Sequence, residues 1–395
     1  MQNKNLLSLA ILIAAVFAVN STQAQFTVVG RNSVSEISGW FTPIYNFRFY
    51  NPELPNNDHA KINSKDALGV DYARFTLNGK IRGKFEYSFE YDLASTFAGN
   101  TDVTASPVTD ANLTYTGCKF FNVKVGYMKV PFSMGSMITE KYSAFEGRPE
   151  VVRSGFFSRR DAGVMLFKDF LNQRLNVSAG IYSGMGEYIW YGATDAIAQP
   201  EYMARVTYSY PSKVREREVD LNSTPVPQFR IGVNGSYNKR DTTIDGGHNV
   251  GSSTPLTYIK GEKYGYGADF TFFYNNFSFQ VEADQFRYQP ADLTMIPVNS
   301  NGNILTKYFR GGGWYGQLNY FCPKLKSSFS VRYDNINVND AVKGDNGNTV
   351  SYSYQYYFNS YKTVFRMQYW QRLHDVDTHL PLENDQLRIG FQFLF

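Results

Sequence analysis

The feature that most constrains this chain is strict alternation. Near its end Leu387, Ile389, Phe391, Phe393 and Phe395 are apolar or aromatic, with Gln386, Arg388, Gly390, Gln392 and Leu394 between them. A strand repeats every two residues, so the first set shares one face. Phe85, Tyr87, Phe89 and Tyr91 alternate in the same way with Lys84, Glu86, Ser88 and Glu90, and Phe277, Phe279, Val281 and Ala283 with Ser278, Gln280, Glu282 and Asp284. About sixteen such segments occur, centred near Ile44, Phe75, Tyr87, Leu113, Val125, Met165, Val177, Val206, Val233, Phe270, Val281, Leu318, Val331, Tyr354, Phe365 and Phe391. Their length suits strands of roughly ten residues crossing a bilayer at a tilt. A soluble sandwich would turn the apolar face inward, whereas a membrane barrel turns it to lipid and lines water with the polar face. The 32 Phe and 30 Tyr favour the barrel, because aromatics suit strands and the girdles at both membrane interfaces. The fold expected is therefore all-β, a transmembrane antiparallel β-barrel.

The connections support it. Asn78–Arg82, Gly117–Phe121, Asp169–Arg174, Asn275–Asn276, Cys322–Lys326 and Asn359–Ser360 are short, and they alternate with long segments such as Tyr50–Gly69, Lys129–Arg160 and Lys239–Gly261. Short periplasmic turns and long extracellular loops are the habit of bacterial barrels. Pro211–Gln228 breaks the rule: it should be a short turn but is long, charged and Pro-containing. It reads as an extended periplasmic turn or as a sign that the strand count is wrong there.

Residues 1–24 read as a secretory signal: Lys4, an apolar run from Leu6 to Val19, then small residues up to Ala24. The barrel domain is then 25–395, with no second domain or plug expected. The two cysteines, Cys118 and Cys322, follow different strands and are expected to be free thiols. With a formal charge of +4 and no long basic run, nothing resembles a nucleic-acid footprint.

The longest loop is the third, Lys129–Arg160, with Pro131, Gly135, Gly147, Pro149 and Gly155 in it. It opens with Lys124-Val125-Gly126-Tyr127-Met128-Lys129-Val130-Pro131-Phe132-Ser133 and closes with Arg159-Arg160-Asp161-Ala162-Gly163-Val164. These stretches resemble the start and end of the third loop in the phosphate-selective porin O and P family, in its Bacteroidota-type outer-membrane form. The resemblance implies a loop folded into the lumen and a homotrimer embedded in outer-membrane lipid. It also implies pores that pass small anionic solutes by clustered Arg and Lys. The terminal aromatic Phe395 resembles the signal read by the barrel-assembly machinery. Matched to the family pattern, the anion contacts are Lys129, Arg159 and Arg160, with Arg148 and Arg153 as further basic loop positions. Guanidinium forks suit phosphate oxygens. Bracing of the loop against the wall is the competing role, especially for Arg148 in its Gly-Arg-Pro turn.

Strand parity places Arg48, Arg74, Lys80, Lys84, Lys124, Arg205, Arg230, Arg332, Arg366, Arg372 and Arg388 inward. It does the same for the acids Glu86, Glu90, Asp269, Glu282, Asp284 and Asp334. Once the last strand meets the first, Arg366, Arg372, Arg388, Arg48 and Arg74 form one arc. Asp269, Glu282 and Asp284 lie roughly opposite. Opposed arcs would set a field across a narrow aqueous lumen. The acids, with Glu140, Glu146 and Glu150 in the loop, argue against a strict phosphate filter and for a mild anion preference. No catalytic, metal or cofactor site is expected: His59, His248, His374 and His379 fall in long loops, and no Ser–His pair faces lipid. The alternative function is an adhesion barrel acting through its long outer loops.

Overall fold

A computed structural model describes residues 26–48, 67–94, 107–153, 155–186, 199–240, 260–291, 307–340, 346–373 and 385–395. The strands run β1 (Phe26–Gly30), β2 (Ser33–Arg48), β3 (Ala67–Ile81), β4 (Phe85–Asp92), β5 (Val108–Tyr115) and β6 (Asn122–Lys129). They continue as β7 (Arg160–Phe170), β8 (Leu175–Tyr182), β9 (Glu201–Tyr210), β10 (Gln228–Arg240), β11 (Gly261–Tyr274) and β12 (Phe277–Pro290). The last are β13 (Phe309–Cys322), β14 (Ser327–Asn337), β15 (Asn346–Asn359), β16 (Thr363–Leu373) and β17 (Gln386–Leu394). All sixteen expected centres fall within β2–β17.

Each of these strands pairs antiparallel with the next, and β17 returns to β2 from Gln386↔Arg48 to Leu394↔Trp40. The wall is thus a closed sixteen-stranded barrel. The strand not foreseen is β1, which pairs with Ser33–Ile37 of β2. One edge of β2 carries β3; the other is divided between β17 and β1. At the division Gly39 and Phe395 exchange backbone hydrogen bonds, 2.6 Å from the Gly39 amide and 3.0 Å from the Phe395 amide.

The wall is inside-out relative to a soluble protein. Leu113, Val125, Val164, Ile181, Val233, Leu318 and Val331 are exposed on the outer face, whereas Ser278, Gln280, Asn319, Ser351, Gln368 and Gln392 are fully buried on the inner one. That order is stable only where the outer solvent is apolar. No helix among the described residues is long and apolar enough to cross a membrane; the crossing elements are the strands.

Local chemistry sets the turns. Asn275 and Asn276 both take positive φ, 48° and 71°, which is the twist a two-residue hairpin needs and which Asn tolerates well. The turn expected at Asn78–Arg82 lies further on, because β3 runs to Ile81 and Arg82 and Gly83 supply the left-handed residues. A bulge at Asp71 in β3, opposite Thr42 and Pro43, re-aims its carboxylate. Pro211–Gln228 adds no strand; it is one long connection from β9 to β10. Cys118 and Cys322 are free. The proposed signal segment, the four histidines and most long loops lie outside the described residues.

Candidate functional site: the barrel interior

The third loop is described from end to end except at residue 154. It forms two short helices, α1 (Met134–Met137) and α2 (Glu150–Arg153), with a 3-10 turn at Glu140–Tyr142 between them. Its Val130, Phe132, Met134, Ile138, Val151, Val152, Phe156 and Phe157 bury against Met165, Tyr182, Met203, Phe286, Tyr288, Phe309 and Tyr315 of the wall. Phe286 is the centre of this contact, with ring centroids of Phe132 at 5.4 Å and of Phe156 at 5.2 Å.

Polar wall residues then hold the loop backbone. The Glu282 carboxylate accepts from the Met134 amide at 2.7 Å, the Gly135 amide at 2.8 Å and the Tyr315 hydroxyl at 2.9 Å. Asp334 accepts from the Glu150 amide at 3.0 Å and pairs with Arg332 at 2.8 Å. Arg332 donates to the Gly147 carbonyl, and Gln368 accepts from the Glu146 amide at 2.6 Å. Gln355 donates to the carbonyls of Ser143 and Ala144. Arg366 donates to the Glu140 and Lys141 carbonyls at 3.4 Å and to Gln392 at 2.6 Å. Buried polar groups without such partners would each cost about 1–3 kcal/mol, so these contacts fix the loop's path along β12–β17.

The loop's charges converge on Glu140. Arg148 lies 2.6 Å from its carboxylate, Arg159 3.2 Å and Arg74 3.8 Å. Burial alone would raise the Glu140 pKa, yet Arg148, Arg74, Arg159 and Lys129 hold it well below the usual carboxylate range. Arg148 also donates to the Gly135 and Ser136 carbonyls. Arg74 pairs with Glu90 at 3.1 Å and Asp92 at 2.8 Å and lies over the rings of Trp40 and Tyr72. Arg160 pairs with Asp110 at 3.2 Å. Lys129 donates to the Met137 carbonyl at 2.8 Å and the Thr139 hydroxyl at 3.2 Å. Arg153 is half exposed beside Glu150 at 3.4 Å. Glu146 behaves oppositely to Glu140: burial, then the nearby Asp71 carboxylate, pushes it up to about 7 against the pull of Arg388 and Arg366.

The β9–β10 connection enters the same space from the short-turn end. Val214, Glu218, Val219, Asp220 and Thr224 are buried. The Glu218 carboxylate accepts from the Ser143 hydroxyl at 2.8 Å and the Ala144 amide at 2.7 Å, and its amide donates to the Tyr142 carbonyl at 3.1 Å. Val219 packs with Ala144, Phe145, Phe321, Tyr357 and Val364. Arg217 and Glu218 carbonyls accept from Gln280 and Asn319, and the Val219 carbonyl from the Tyr361 hydroxyl at 3.1 Å.

Against this geometry the comparisons with known proteins are direct. The profile of the family described as phosphate-selective porin O and P matches residues 49–395. The chain belongs to that family. It is an outer-membrane β-barrel porin, and the likeness to solved structures agrees in fold. Salmonella typhi OmpF in complex with daunomycin superposes with a TM-score of 0.59 at 12% identity, over 94% of this chain and 100% of that one. The trimer form of OmpT from Vibrio cholerae gives 0.57 at 12%, over 92% and 100%. The channel DcaP of Acinetobacter baumannii gives 0.54 at 13%, over 93% and 99%. No curated protein sequence matches.

In this porin the sequence-expected residues separate by environment. Lys129, Arg148, Arg159 and Arg160 come together around Glu140 and Asp110, while Arg153 stands apart on α2. Among the described members of the two arcs of wall charge, most are held by partners. Asp269 pairs with Arg205 at 2.6 Å, Asp284 accepts from Asn234 at 3.3 Å, Glu282 holds α1 and Arg366 holds loop carbonyls. Arg388 pairs with Asp71 at 3.4 Å and covers the Trp370 ring. Lys124 lies over Phe167, and Arg48 ends β2 opposite Gln386. Sequence reasoning missed Glu218, Glu140 as a hub, and the wall residues Phe286, Tyr288 and Tyr315. Those three carried a readable signal, since they are large apolar or aromatic residues on the polar parity of β12 and β13.

Proposed function

We propose that this porin passes small solutes by passive diffusion through a bore that the third loop narrows to one sector, with a mild preference for anions. The observation that carries the reading is an asymmetry of exposure. Inward polar residues of β12–β17 are buried beneath the loop, whereas Lys84 in the β3–β4 turn and Glu86, Ser88, Lys124, Asp169 and Asn176 on β4–β8 keep contact with solvent. A wall of about sixteen strands leaves an aqueous channel unless something fills it, so the water path runs along β4–β8. Lys84, Lys124 and Lys141 have no carboxylate at ion-pair distance among the described residues, and Arg159 remains 27% exposed. These cations favour anions, phosphate-like ones among them. The forks of Arg74 and Arg148 are already occupied by carboxylates and carbonyls, which argues for a mild rather than a dedicated phosphate filter.

The same proposal includes export by residues 1–24, recognition of Phe395 by the barrel-assembly machinery, and a homotrimer in outer-membrane lipid. The trimer form of the Vibrio cholerae structure supports the last. Reconstitution into planar bilayers under a potassium chloride gradient tests the function. The expected result is an ohmic conductance with a reversal potential of anion sign. Absence of conductance overturns the channel, and a cation-selective reversal overturns the preference.

A further inference from the structure

We infer that the β9–β10 connection is a second constriction element, a strap across the short-turn mouth, and that Glu218 on it positions the third loop and so sets the pore's size limit. The inference rests on the channel reading above and goes beyond the loop-only constriction.

Length is the first sign. The other described connections at this end, such as Asn275–Asn276, need only two to six residues, while residues 211–227 join strands that are already neighbours in register. A link between adjacent antiparallel strands needs no such length, so the extra chain goes elsewhere. It leaves β9, reaches β12 and β13 at Gln280 and Asn319, and touches the β15–β16 turn at Tyr361 before returning to β10. Those contacts lie well round the barrel from where the connection starts, so the chain crosses the bore.

The strap is built to stay there. Val219 is fully buried, and Asp220, also fully buried, accepts from the Thr224 amide at 2.8 Å, the Thr224 hydroxyl at 2.7 Å and the Asn276 amide at 3.1 Å. A buried carboxylate is tolerated only when its acceptor sites are filled, and here they tie the strap to its own return and to the next turn. Where strap and loop meet, Val219 packs with Ala144 and Phe145, and Glu218 supplies the polar side-chain contact. Glu218 accepts from both Ser143 and Ala144, and the same two loop residues give their carbonyls to Gln355. The loop segment is therefore clamped between the wall and the strap. Charge-assisted hydrogen bonds of this kind are the stronger ones. Glu218 is a positioning residue: it acts on solutes through the loop it holds.

The experiment uses the full-length porin in planar bilayers, reading single-channel conductance and the exclusion size for neutral polyethylene glycols. Three variants are compared with wild type: residues 212–226 replaced by Asn-Gly, Glu218→Ala, and Glu218→Gln. Shortening the strap should roughly double conductance, because conductance follows the open cross-section of the aqueous bore, and should admit larger glycols. Glu218→Ala should give switching between conductance levels as the loop segment is released. Glu218→Gln, which keeps an acceptor, should restore the steady level. A purely structural strap would alter heat-modifiable gel migration but leave exclusion size and steady conductance as in wild type, and that result overturns the inference. If the shortened chain does not insert, the Ala and Gln variants decide alone: steady, wild-type conductance in both overturns it. A silent wild type with silent variants refutes the channel reading, a different outcome from a conducting wild type that the variants leave unchanged.

Discussion

Replacing Glu140 by glutamine removes one negative charge from the centre of the third loop while keeping its shape. The carboxylate is 3% exposed and faces Arg148, Arg159 and Arg74 at 2.6, 3.2 and 3.8 Å. At an effective dielectric of about 20, a unit pair at 3–4 Å attracts by roughly 4–6 kcal/mol. Three such attractions are a gross figure: the carboxylate's desolvation and the mutual repulsion of three guanidinium groups offset most of it, and Arg159 is partly screened by water. Breaking a buried ion pair by removing one partner costs about 3–5 kcal/mol, and the substituted amide would still accept one hydrogen bond, so the lower end applies. Denaturant unfolding followed by tryptophan fluorescence should show a loss of about 3 kcal/mol. In bilayers the freed guanidinium of Arg159 should move the reversal potential further toward anion selectivity. An E140Q protein with the wild-type midpoint and the wild-type reversal potential would refute the hub. The acid limb gives an independent check. The folded pKa lies well below the ordinary 4.5, so the stabilisation is complete above pH about 4.5 and disappears as pH falls through the depressed value. E140Q should lack that acid loss.

Three further outcomes are expected. Glu146, raised to about 7 from 4.5, takes up a proton on folding, so its contribution is complete below pH about 4.5 and is lost as pH rises through 7; E146Q should remove a pH-dependent change on the order of 3 kcal/mol from the unfolding curve. Arg159→Ala should weaken anion preference with little change in stability, whereas Arg160→Ala should leave Asp110 unpaired and cost about 3 kcal/mol in unfolding; equal selectivity shifts in the two would contradict the difference in exposure. Gly39→Val should lower the yield of heat-modifiable folded barrel, because a side chain there meets the Phe395 ring; normal yield in an insertion assay would rule out a role for that contact.

The wall was legible and the interior was not, for physical reasons. Period-two patterning repeats along every strand, so the residues around Val281 or Phe365 declare both faces from local sequence. β1 escaped because Phe26–Gly30 is short and exposed throughout, which leaves alternation nothing to report. The charge map failed differently. Parity shows that Glu282 and Arg366 point inward, but not that one meets the amide of Met134 and the other the carbonyl of Glu140, more than a hundred residues away in sequence. Such partners depend on the loop's path, which has no period. Two clues to that path lay in plain sight: aromatic residues such as Phe286 on the polar parity, and the overlong Pro211–Gln228 connection.

The divided edge of β2 bears on how the barrel finds its register. β1 and β2 are joined by a tight local turn and can zip together as soon as they are made, on the microsecond scale of hairpins. The last strand arrives only after the rest of the wall exists. By then Ser33–Ile37 is occupied, and Gly39–Arg48 remains for it to pair with. A β17 that slid two residues toward the short-turn end would collide with Phe26 opposite Ile37. The early hairpin thus works as a doorstop: it excludes one whole family of mis-sheared closures before the seam is sealed.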